Sequence, residues 1–166
     1  MTGPQSNKGI PMELPKRKPT RLAGFDYATY NYYFITICTH QKKCIFGKPG
    51  SLSDLGKIAY GHMRQIKEHF SGVQVDNFII MPNHVHAIVI IGEKTQTPNL
   101  STVIGQYKAS VAKEIHKLYP QMEIWQRSFH DHIIRNQKEY EKIWEYVQFN
   151  FQKWEEDCFY TEIYEK

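Results

Sequence analysis

The stretch that decides the fold is MPNHVHAIVII, residues 81–91. Its long apolar run after a Pro-Asn break predicts a β-strand that is buried on both faces and begins with two histidines. Side chains two residues apart on a strand point the same way, so His84 and His86 should project from one face. Two neutral imidazoles in that position offer half of a site for a divalent metal. The alternative is a pair of histidines that only form hydrogen bonds at a strand end.

The sequence before this stretch predicts two strands and a helix. Residues 32–39 are rich in β-branched and aromatic side chains, which favour a strand. Helical spacing of apolar residues runs through residues 53–70, where Ser53 or Asp54 would be the N-cap. Residues 73–81 predict a second strand, and the short Pro-Asn break after it predicts a hairpin with the histidine strand.

The sequence after the histidine strand predicts a helix, an extended segment and a last helix. The first helix would begin after Asn99 or Ser101 and end near Leu118. Residues 124–134 are predicted to be extended, and residues 138–154 again have helical spacing. The order is therefore β-α-β-β-α-β followed by a helix, which predicts an α+β, ferredoxin-like antiparallel sheet. Such a sheet would carry helices on one face and leave the other available for a ligand.

Length, charge and cysteine content restrict the class of protein. At 166 residues the chain has the length of one domain with a proper core. Its formal net charge of +4 permits a nucleic-acid partner without requiring one. The three cysteines include no CxxC pair, which favours a reduced, cytoplasmic setting. No apolar run approaches the roughly 20 residues of a membrane span, so we expect no membrane partner.

Composition divides the chain into three parts. Residues 1–20 are predicted to be a flexible, basic leader, residues 21–157 one folded domain, and residues 158–166 a tail without informative features. The basic cluster at the junction of leader and domain contains Arg17, Lys18 and Arg21. These cations either increase solubility or contact phosphates.

The last helix carries residues that could complete a metal site. Tyr146 and Asn150 are spaced i and i+4, so they lie on the same helical face. The side-chain oxygen of Asn150 could bind a hard cation such as Mg²⁺ or Mn²⁺, and Tyr146 would lie beside that cation. A cation on a phosphodiester would make attack by the phenol easier, and the product would be a phosphotyrosine. The alternative is that Tyr146 is a core aromatic of an amphipathic helix.

Other residues compete for these roles. Tyr107 is a rival nucleophile, but its helical position faces the apolar side, which predicts a core residue. His130 and His132 form a second HxH pair that could line the site or bind DNA, although structural hydrogen bonds are the simpler prediction. Further candidates for DNA contact are Lys108, Arg127 and Arg135, each with an ordinary solvated charge as the alternative.

Four blocks of sequence, together with the HxH pair, carry a resemblance to a known family. The blocks are RL with FDY within residues 21–27, YFITICT at 33–39, WQRSFHDHIIR at 125–135 and EYVQFN at 145–150. MPNHVH, residues 81–86, resembles the HUH motif (His, bulky hydrophobe, His) of the single-tyrosine, IS200-like HUH transposases. The ordered set resembles in particular the REP-associated tyrosine transposases, which are small bacterial proteins linked to palindromic genomic repeats.

This resemblance implies a fold, an activity and roles for individual residues. The family fold is a ferredoxin-like core, and residues 21–157 would be the catalytic domain. Tyr146 would be the nucleophile on single-stranded DNA, forming a 5′-phosphotyrosine and releasing a 3′-OH. His84 and His86 would bind a divalent metal, Mg²⁺ or Mn²⁺, with Asn150 as the amide-bearing third ligand. The partner would be a DNA hairpin with a short single-stranded foot, bound by a monomer or a homodimer.

One departure from the family pattern leaves other functions open. Such sequences often read Asn-Pro after the tyrosine helix, whereas here Phe151 follows Asn150 and would let the helix continue. A DNA-hairpin-binding module that keeps the fold but lacks turnover is therefore the main alternative. A third hypothesis is a metal-dependent phosphodiesterase that uses water in place of the tyrosine.

Overall fold

The computed structural model describes residues 31–92 and 97–163 of the chain. Its elements, in chain order, are β1 (Asn31–Cys38), a 3₁₀ turn (His40–Lys42), β2 (Gly47–Lys48), β3 (Ser51–Leu52), α1 (Asp54–His69), β4 (Val73–Met81), β5 (His84–Ile91), α2 (Leu100–Ile115), β6 (His130–Ile134), α3 (Gln137–Phe149) and a 3₁₀ segment (Asn150–Glu156). No helix in these two ranges has the length and apolarity to cross a membrane. The predicted leader with Arg17 and Lys18, and Arg21 after it, lie outside the described residues.

The main sheet has four antiparallel strands in the order β4-β5-β1-β6. With α1 and α2 in the connections, this arrangement is a ferredoxin-like α+β fold, so the predicted fold class is confirmed. The predicted hairpin of β4 and β5 is also confirmed, and β2 and β3 form a second, smaller hairpin that was not predicted. The last strand is shorter than expected, because the segment before His130 makes an isolated bridge from Trp125 to Thr39 instead of a continuous ladder.

The larger part of the core lies between the sheet and the helices α1 and α2. Tyr33 and Ile35 of β1 and Val85 of β5 point to this side and are fully buried. They pack in one cluster with Met63 of α1 and Ile104 of α2. Each such side chain contributes roughly 1.5–3 kcal/mol through removal of its apolar surface from water. This packing covers the face of the sheet that is opposite to the two histidines.

The opposite face of the sheet is where the histidine strand meets α3. Ile88, Ile134 and Val147 form a second, smaller buried cluster between the sheet and this helix. His84 and His86 lie on the same face as Ile88, because side chains alternate along β5. The strand is therefore covered on both sides, which explains why its sequence is apolar almost without interruption. The two long helices α1 and α2 share one face, and α3 occupies part of the face that we expected to be free.

Local capping sets where the helices begin. The Ser53 hydroxyl accepts a hydrogen bond from the Gly56 N–H at 3.1 Å and so caps α1. The Asn99 side-chain oxygen accepts from the Thr102 N–H at 2.9 Å and caps α2. In both helices one of the two predicted candidates is the cap. A third cap that was not predicted, Asn136, begins α3.

The α3 helix ends at Phe149, before the predicted end at Trp154. Residues 150–156 continue as a 3₁₀ segment in which Lys153 departs from helical geometry, with φ −113° and ψ 28°. With Phe151 in place of proline the chain does continue to turn, but more tightly than in an α-helix. This segment leads Asp157 back to the face of the sheet that carries the histidines.

Candidate active site

His84 and His86 lie side by side at the start of β5. Their Nε2 atoms are 3.0 Å apart, and both side chains are buried. The Nδ1 atom of His84 donates to the Asn83 side-chain oxygen at 2.8 Å, and the Nδ1 atom of His86 meets the Thr36 hydroxyl at 2.9 Å. Because an amide oxygen only accepts, neutral His84 carries its proton on Nδ1 and presents a lone pair on Nε2. Hydrogen bonds of this kind orient metal-binding histidines.

Both imidazoles are kept neutral by their surroundings. Burial, followed by the charge of Lys42, lowers the pKa of His84 to about 3. Burial, followed by the neighbouring His84, lowers the pKa of His86 to about 3 as well. A neutral imidazole is the form that binds a metal, so a cation bound near neutral pH would not be repelled by a positive charge on either ring.

A carboxylate from the end of the predicted domain joins the two histidines. The side chain of Asp157 is fully buried, and its Oδ2 atom lies 3.7 Å from His84 Nε2. The candidate ligand atoms of His84, His86 and Asp157 all lie within 4.8 Å of one another. Imidazole nitrogens together with a carboxylate oxygen are a donor set that divalent cations accept. By the chemistry of their donor atoms, the residues at this pocket fit a divalent cation.

Tyr146 lies between this pocket and solvent. Its hydroxyl is 3.3 Å from His86 Nε2 and 3.5 Å from Asp157 Oδ2, and the residue is 41 % exposed. The alternative that Tyr146 is a core aromatic is therefore wrong. Burial, followed by the Asp157 carboxylate, raises the pKa of the Tyr146 phenol above its usual value. The phenol is protonated near neutral pH, and the ring has access to both the pocket and the surface.

Asn150 also lies against the pocket, but its amide nitrogen faces the carboxylate. Nδ2 of Asn150 donates to Asp157 Oδ2 at 2.8 Å, and the asparagine is buried. An amide nitrogen carries hydrogens and does not bind a cation, so the predicted role of Asn150 as a ligand would need its side-chain oxygen. That role stays a prediction. In the observed arrangement Asn150 holds Asp157 in place.

The segment that follows α3 closes over the histidines. The Phe159 ring lies 4.8 Å from the His84 ring between centroids, and the Trp154 ring stacks on the same imidazole at 6.1 Å. Asn83 ties this segment down, because its Nδ2 donates to the Phe159 carbonyl oxygen at 2.8 Å. Neither Asp157 nor Phe159 was predicted from the sequence to belong to the site. A single carboxylate after a helix has no periodicity that would have marked it.

The candidates for DNA contact are found in different surroundings. Lys108 donates to the carbonyl oxygens of Gln126 and Ser128 at 2.5 and 3.4 Å, so its ammonium ties the start of the WQRS block to α2. Burial lowers the pKa of Lys108. Arg127 and Arg135 are exposed. Phosphate contact by these three residues stays a prediction, and of the three only the two arginines present a charge that faces solvent.

The competing candidates have structural roles. Tyr107 is buried in the core, where its hydroxyl donates to the Ala59 carbonyl oxygen at 3.1 Å, and burial raises its pKa. The prediction that it is a core residue is confirmed. In the second HxH pair, His132 Nε2 pairs with Glu139 Oε1 at 2.5 Å, as expected of a structural hydrogen bond. His130 is exposed on the same strand.

A comparison with known proteins connects this site to a family. The family model "Transposase IS200 like" matches residues 27–150, which include the histidine pair, Tyr146 and Asn150. The chain belongs to the IS200-like transposase family. Transposases are DNA-cleaving enzymes, and in this member the HxH strand and the tyrosine helix meet at one pocket.

Relatives of this IS200-like transposase extend the comparison. An uncharacterized protein of Haemophilus influenzae is 34% identical in an alignment of 169 residues, gaps included, that covers 88% of this chain and 94% of the relative. A REP-associated tyrosine transposase, solved in complex with a REP hairpin, has a TM-score of 0.56 at 17% identity over 82% of this chain and 74% of its own. A candidate transposase from Deinococcus radiodurans has a TM-score of 0.51 at 14% identity over 77% of this chain and 95% of its own. At these identities the two structures show a shared fold.

Proposed function

We propose that this protein cleaves and rejoins single-stranded DNA at hairpin or palindromic repeat sequences through a covalent bond to Tyr146. The observation that carries the proposal is the contact of the Tyr146 hydroxyl with His86 Nε2 at 3.3 Å, in the pocket shared with His84 and Asp157. A tyrosine that combines this contact with an exposed ring can reach a phosphate bound at the surface of the pocket. Membership of the IS200-like family supports the same reaction class.

The proposed cofactor is Mg²⁺ or Mn²⁺. His84 and His86 would offer their Nε2 atoms, and a third donor would be an oxygen atom of Asn150 or Asp157. When bound, the cation would neutralise charge on the phosphoryl oxygens of the DNA. Nδ1 of His84 donates to Asn83, and Nδ1 of His86 meets the Thr36 hydroxyl. These two hydrogen bonds would keep both imidazoles oriented toward the cation.

The proposed chemical step is a transesterification. The Tyr146 phenolic oxygen forms a bond to phosphorus, and the bond between phosphorus and the 3′ oxygen breaks. The phenolic proton passes to water, which reaches the exposed ring, and the departing oxygen takes up a proton from water to become a 3′-OH. The 5′ phosphate of the downstream fragment stays on the tyrosine until another 3′-OH reverses the reaction. No oxidant or external energy source is needed, because one phosphodiester replaces another.

The proposed substrate class follows from the family and from the distribution of charge. The REP-associated tyrosine transposase with the same fold was solved bound to a REP hairpin, and we propose a hairpin partner for this chain as well. The exposed Arg127 and Arg135, together with the basic cluster that contains Arg17, Lys18 and Arg21, are the proposed phosphate contacts. These contacts would position the DNA without reading its sequence.

A covalent-adduct assay tests this function. The protein is incubated with Mn²⁺ and a 3′-labelled DNA hairpin that carries a single-stranded foot, and a labelled protein band is sought under denaturing conditions. We expect the wild type and Tyr107→Phe to form the adduct, and Tyr146→Phe to lose it entirely. Tyr107→Phe is the matched control, because it removes a tyrosine hydroxyl that is buried in the core.

The same assay separates the competing functions. Binding of the hairpin by the wild type without any adduct would support the binding module that lacks turnover. Cleavage that survives Tyr146→Phe would support the phosphodiesterase that uses water. A second sample labelled at the 5′ end should release a free fragment with a 3′-OH, since the proposed bond joins the tyrosine to the 5′ phosphate.

A further inference from the structure

The Asp157 carboxylate is locked in one orientation. Its Oδ1 atom accepts a hydrogen bond from the Phe159 N–H at 2.7 Å, which turns the chain just after the 3₁₀ segment. The backbone N–H of Asp157 donates to the Trp154 carbonyl oxygen at 3.1 Å. One carboxylate oxygen is thus used by the backbone, and the other, Oδ2, is directed toward the histidines.

The Oδ2 atom of Asp157 lies close to side chains of α3, of the 3₁₀ segment and of β5. The Asn150 amide donates to it at 2.8 Å, the Tyr146 hydroxyl lies at 3.5 Å, and His84 Nε2 lies at 3.7 Å. An oxygen that faces an imidazole nitrogen at that separation leaves room for a cation that both atoms contact. The arrangement therefore contains a third donor atom in a position suited to a shared ion.

Among the described residues, this carboxylate is stabilised by hydrogen bonds and not by a neighbouring lysine or arginine. The Asp157 side chain is fully buried, and the basic side chain that the described residues place within 4 Å of its Oδ2 atom is the imidazole of His84, which is charged only when protonated. The nearby Lys42 ammonium lies over the Phe159 ring, 5.3 Å from its centroid. A buried carboxylate without a compensating positive charge is costly, because burial removes its hydration. A divalent cation between Asp157 and the histidines would supply the missing charge.

Asn150 is suited to a different role. Its Nδ2 atom donates to the same oxygen of Asp157, so the amide faces the carboxylate with hydrogens and not with a lone pair. A residue that donates to a ligand fixes the orientation of that ligand and is usually needed for full metal affinity.

We propose that the Asp157 carboxylate is the third protein ligand of a divalent cation such as Mn²⁺, beside His84 and His86, and that Asn150 is a positioning residue for Asp157. This inference rests on the proposed function, because it names the ligands of the same pocket. It brings a residue from beyond the tyrosine helix, past the stretch matched by the family model, into the metal site.

Direct Mn²⁺ binding to the DNA-free, full-length protein tests the ligand assignment. Affinity is measured by calorimetry or by the electron paramagnetic resonance signal of free Mn²⁺. Asp157→Asn, which keeps the size of the side chain and removes its charge, should weaken binding by about 100-fold or more, and Asn150→Ala by about tenfold. Glu156→Gln changes an exposed acid of the same 3₁₀ segment and should leave affinity unchanged.

A ligand exchange distinguishes direct coordination from a structural effect. In a Cys158→Ser background, Asp157→Cys should gain affinity for Cd²⁺ and show thiolate-to-metal absorption in the ultraviolet, because a soft thiolate prefers a soft metal. Asn150→Cys should show neither effect. Equal Mn²⁺ affinity in Asp157→Asn and the wild type, with loss of binding in Asn150→Ala, would overturn the assignment.

Failure of this inference can be told apart from failure of the proposed function. If Asp157→Asn binds Mn²⁺ normally while the wild type still forms the adduct through Tyr146, the ligand assignment falls and the strand-transfer function stands. If the wild type binds no Mn²⁺, or if His84→Ala with His86→Ala binds as well as the wild type, the inference and the proposed metal site are both wrong.

Discussion

For each histidine of the pair, one neighbouring side chain determines which ring nitrogen faces the pocket. Thr36 lies directly across the antiparallel ladder from His86, and its hydroxyl meets His86 Nδ1 at 2.9 Å. Asn83 performs the same task for His84 from the hairpin turn. With both Nδ1 atoms engaged, both Nε2 atoms face the pocket. These contacts are the ones that hold the rings when no cation is present.

Substitution of Thr36 tests this orientation at the scale of one residue. Thr36→Val keeps the shape of the side chain but removes the hydrogen-bond partner of His86, so we expect Mn²⁺ affinity to fall by about 10- to 100-fold. Thr36→Ser keeps the hydroxyl and should retain most of the affinity. The measurement is Mn²⁺ calorimetry, and equal affinity in the valine and serine variants would contradict the role of this hydrogen bond.

At the scale of elements, the start of α3 is a compact set of hydrogen bonds. Asn136 accepts from the Glu139 N–H at 2.9 Å, and the Glu139 carboxylate accepts from the Arg135 N–H at 2.8 Å and pairs with His132. This is a variant of the capping box, in which a glutamate reaches back past the helix start. It determines where the helix begins, and thereby which of its turns delivers Tyr146 to the sheet.

The stability contributed by this cap should depend on pH. The hydrogen bond from the Arg135 N–H, followed by that from His132, lowers the pKa of Glu139. For a carboxyl group whose pKa falls on folding, the stabilisation is present above the unfolded pKa and is lost as the pH falls through the folded pKa. Glu139→Gln should therefore lower the free energy of unfolding near pH 7, and the difference from wild type should shrink below about pH 4. Urea unfolding measures this, and Glu155→Gln is the exposed control.

Two glycines of α1 should respond in opposite ways to alanine. A Cβ atom at Gly56 would lie 2.3 Å from the Phe46 carbonyl oxygen, whereas one at Gly61 would meet nothing within 4 Å. Gly61→Ala should raise the free energy of unfolding by about 0.5–1 kcal/mol through helix propensity. Gly56→Ala should lower it by about 1–3 kcal/mol, because the backbone must shift. Urea unfolding of both variants decides this, and stabilisation by Gly56→Ala would contradict the close approach.

At the scale of the whole molecule, one chain contains both halves of the site. α1 and α2 cover one face of the sheet, and the histidines and α3 lie on the other face. The Tyr146 hydroxyl lies 3.3 Å from His86 of the same chain, although the two residues are 60 positions apart. This arrangement favours a tyrosine that acts at the histidine pair of its own chain, whatever the oligomeric state.

A mixing experiment tests action within one chain. Tyr146→Phe and the double variant His84→Ala with His86→Ala should each fail to form the covalent adduct. If the tyrosine acts within its own chain, an equimolar mixture of the two should also fail. Recovery of the adduct in the mixture, measured with the 3′-labelled hairpin, would show that the tyrosine of one chain serves the histidines of another.

Much of the fold could be predicted from local patterns. The periodicity of residues 73–91 predicted two strands and a hairpin, and helix caps at Ser53 and Asn99 were among the predicted candidates. The errors lie where a local pattern is weak. Residues 124–134 were predicted to be one extended segment, but within the described part of the chain their early part forms an isolated bridge from Trp125 to Thr39 instead of a strand. The end of α3 was missed because 3₁₀ and α-helical turns have similar side-chain spacing over a few residues.

By itself, the sequence determined the kinds of elements, their order and the joint projection of His84 and His86, because these depend on residues close together along the chain. Only the tertiary structure decided that Asp157 lies against the histidines, that Asn150 presents its amide nitrogen and that Tyr146 stays exposed. Those features depend on how α3 and the 3₁₀ segment pack on the sheet. Contacts between residues far apart in sequence depend on how the whole chain folds, and no local periodicity encodes them.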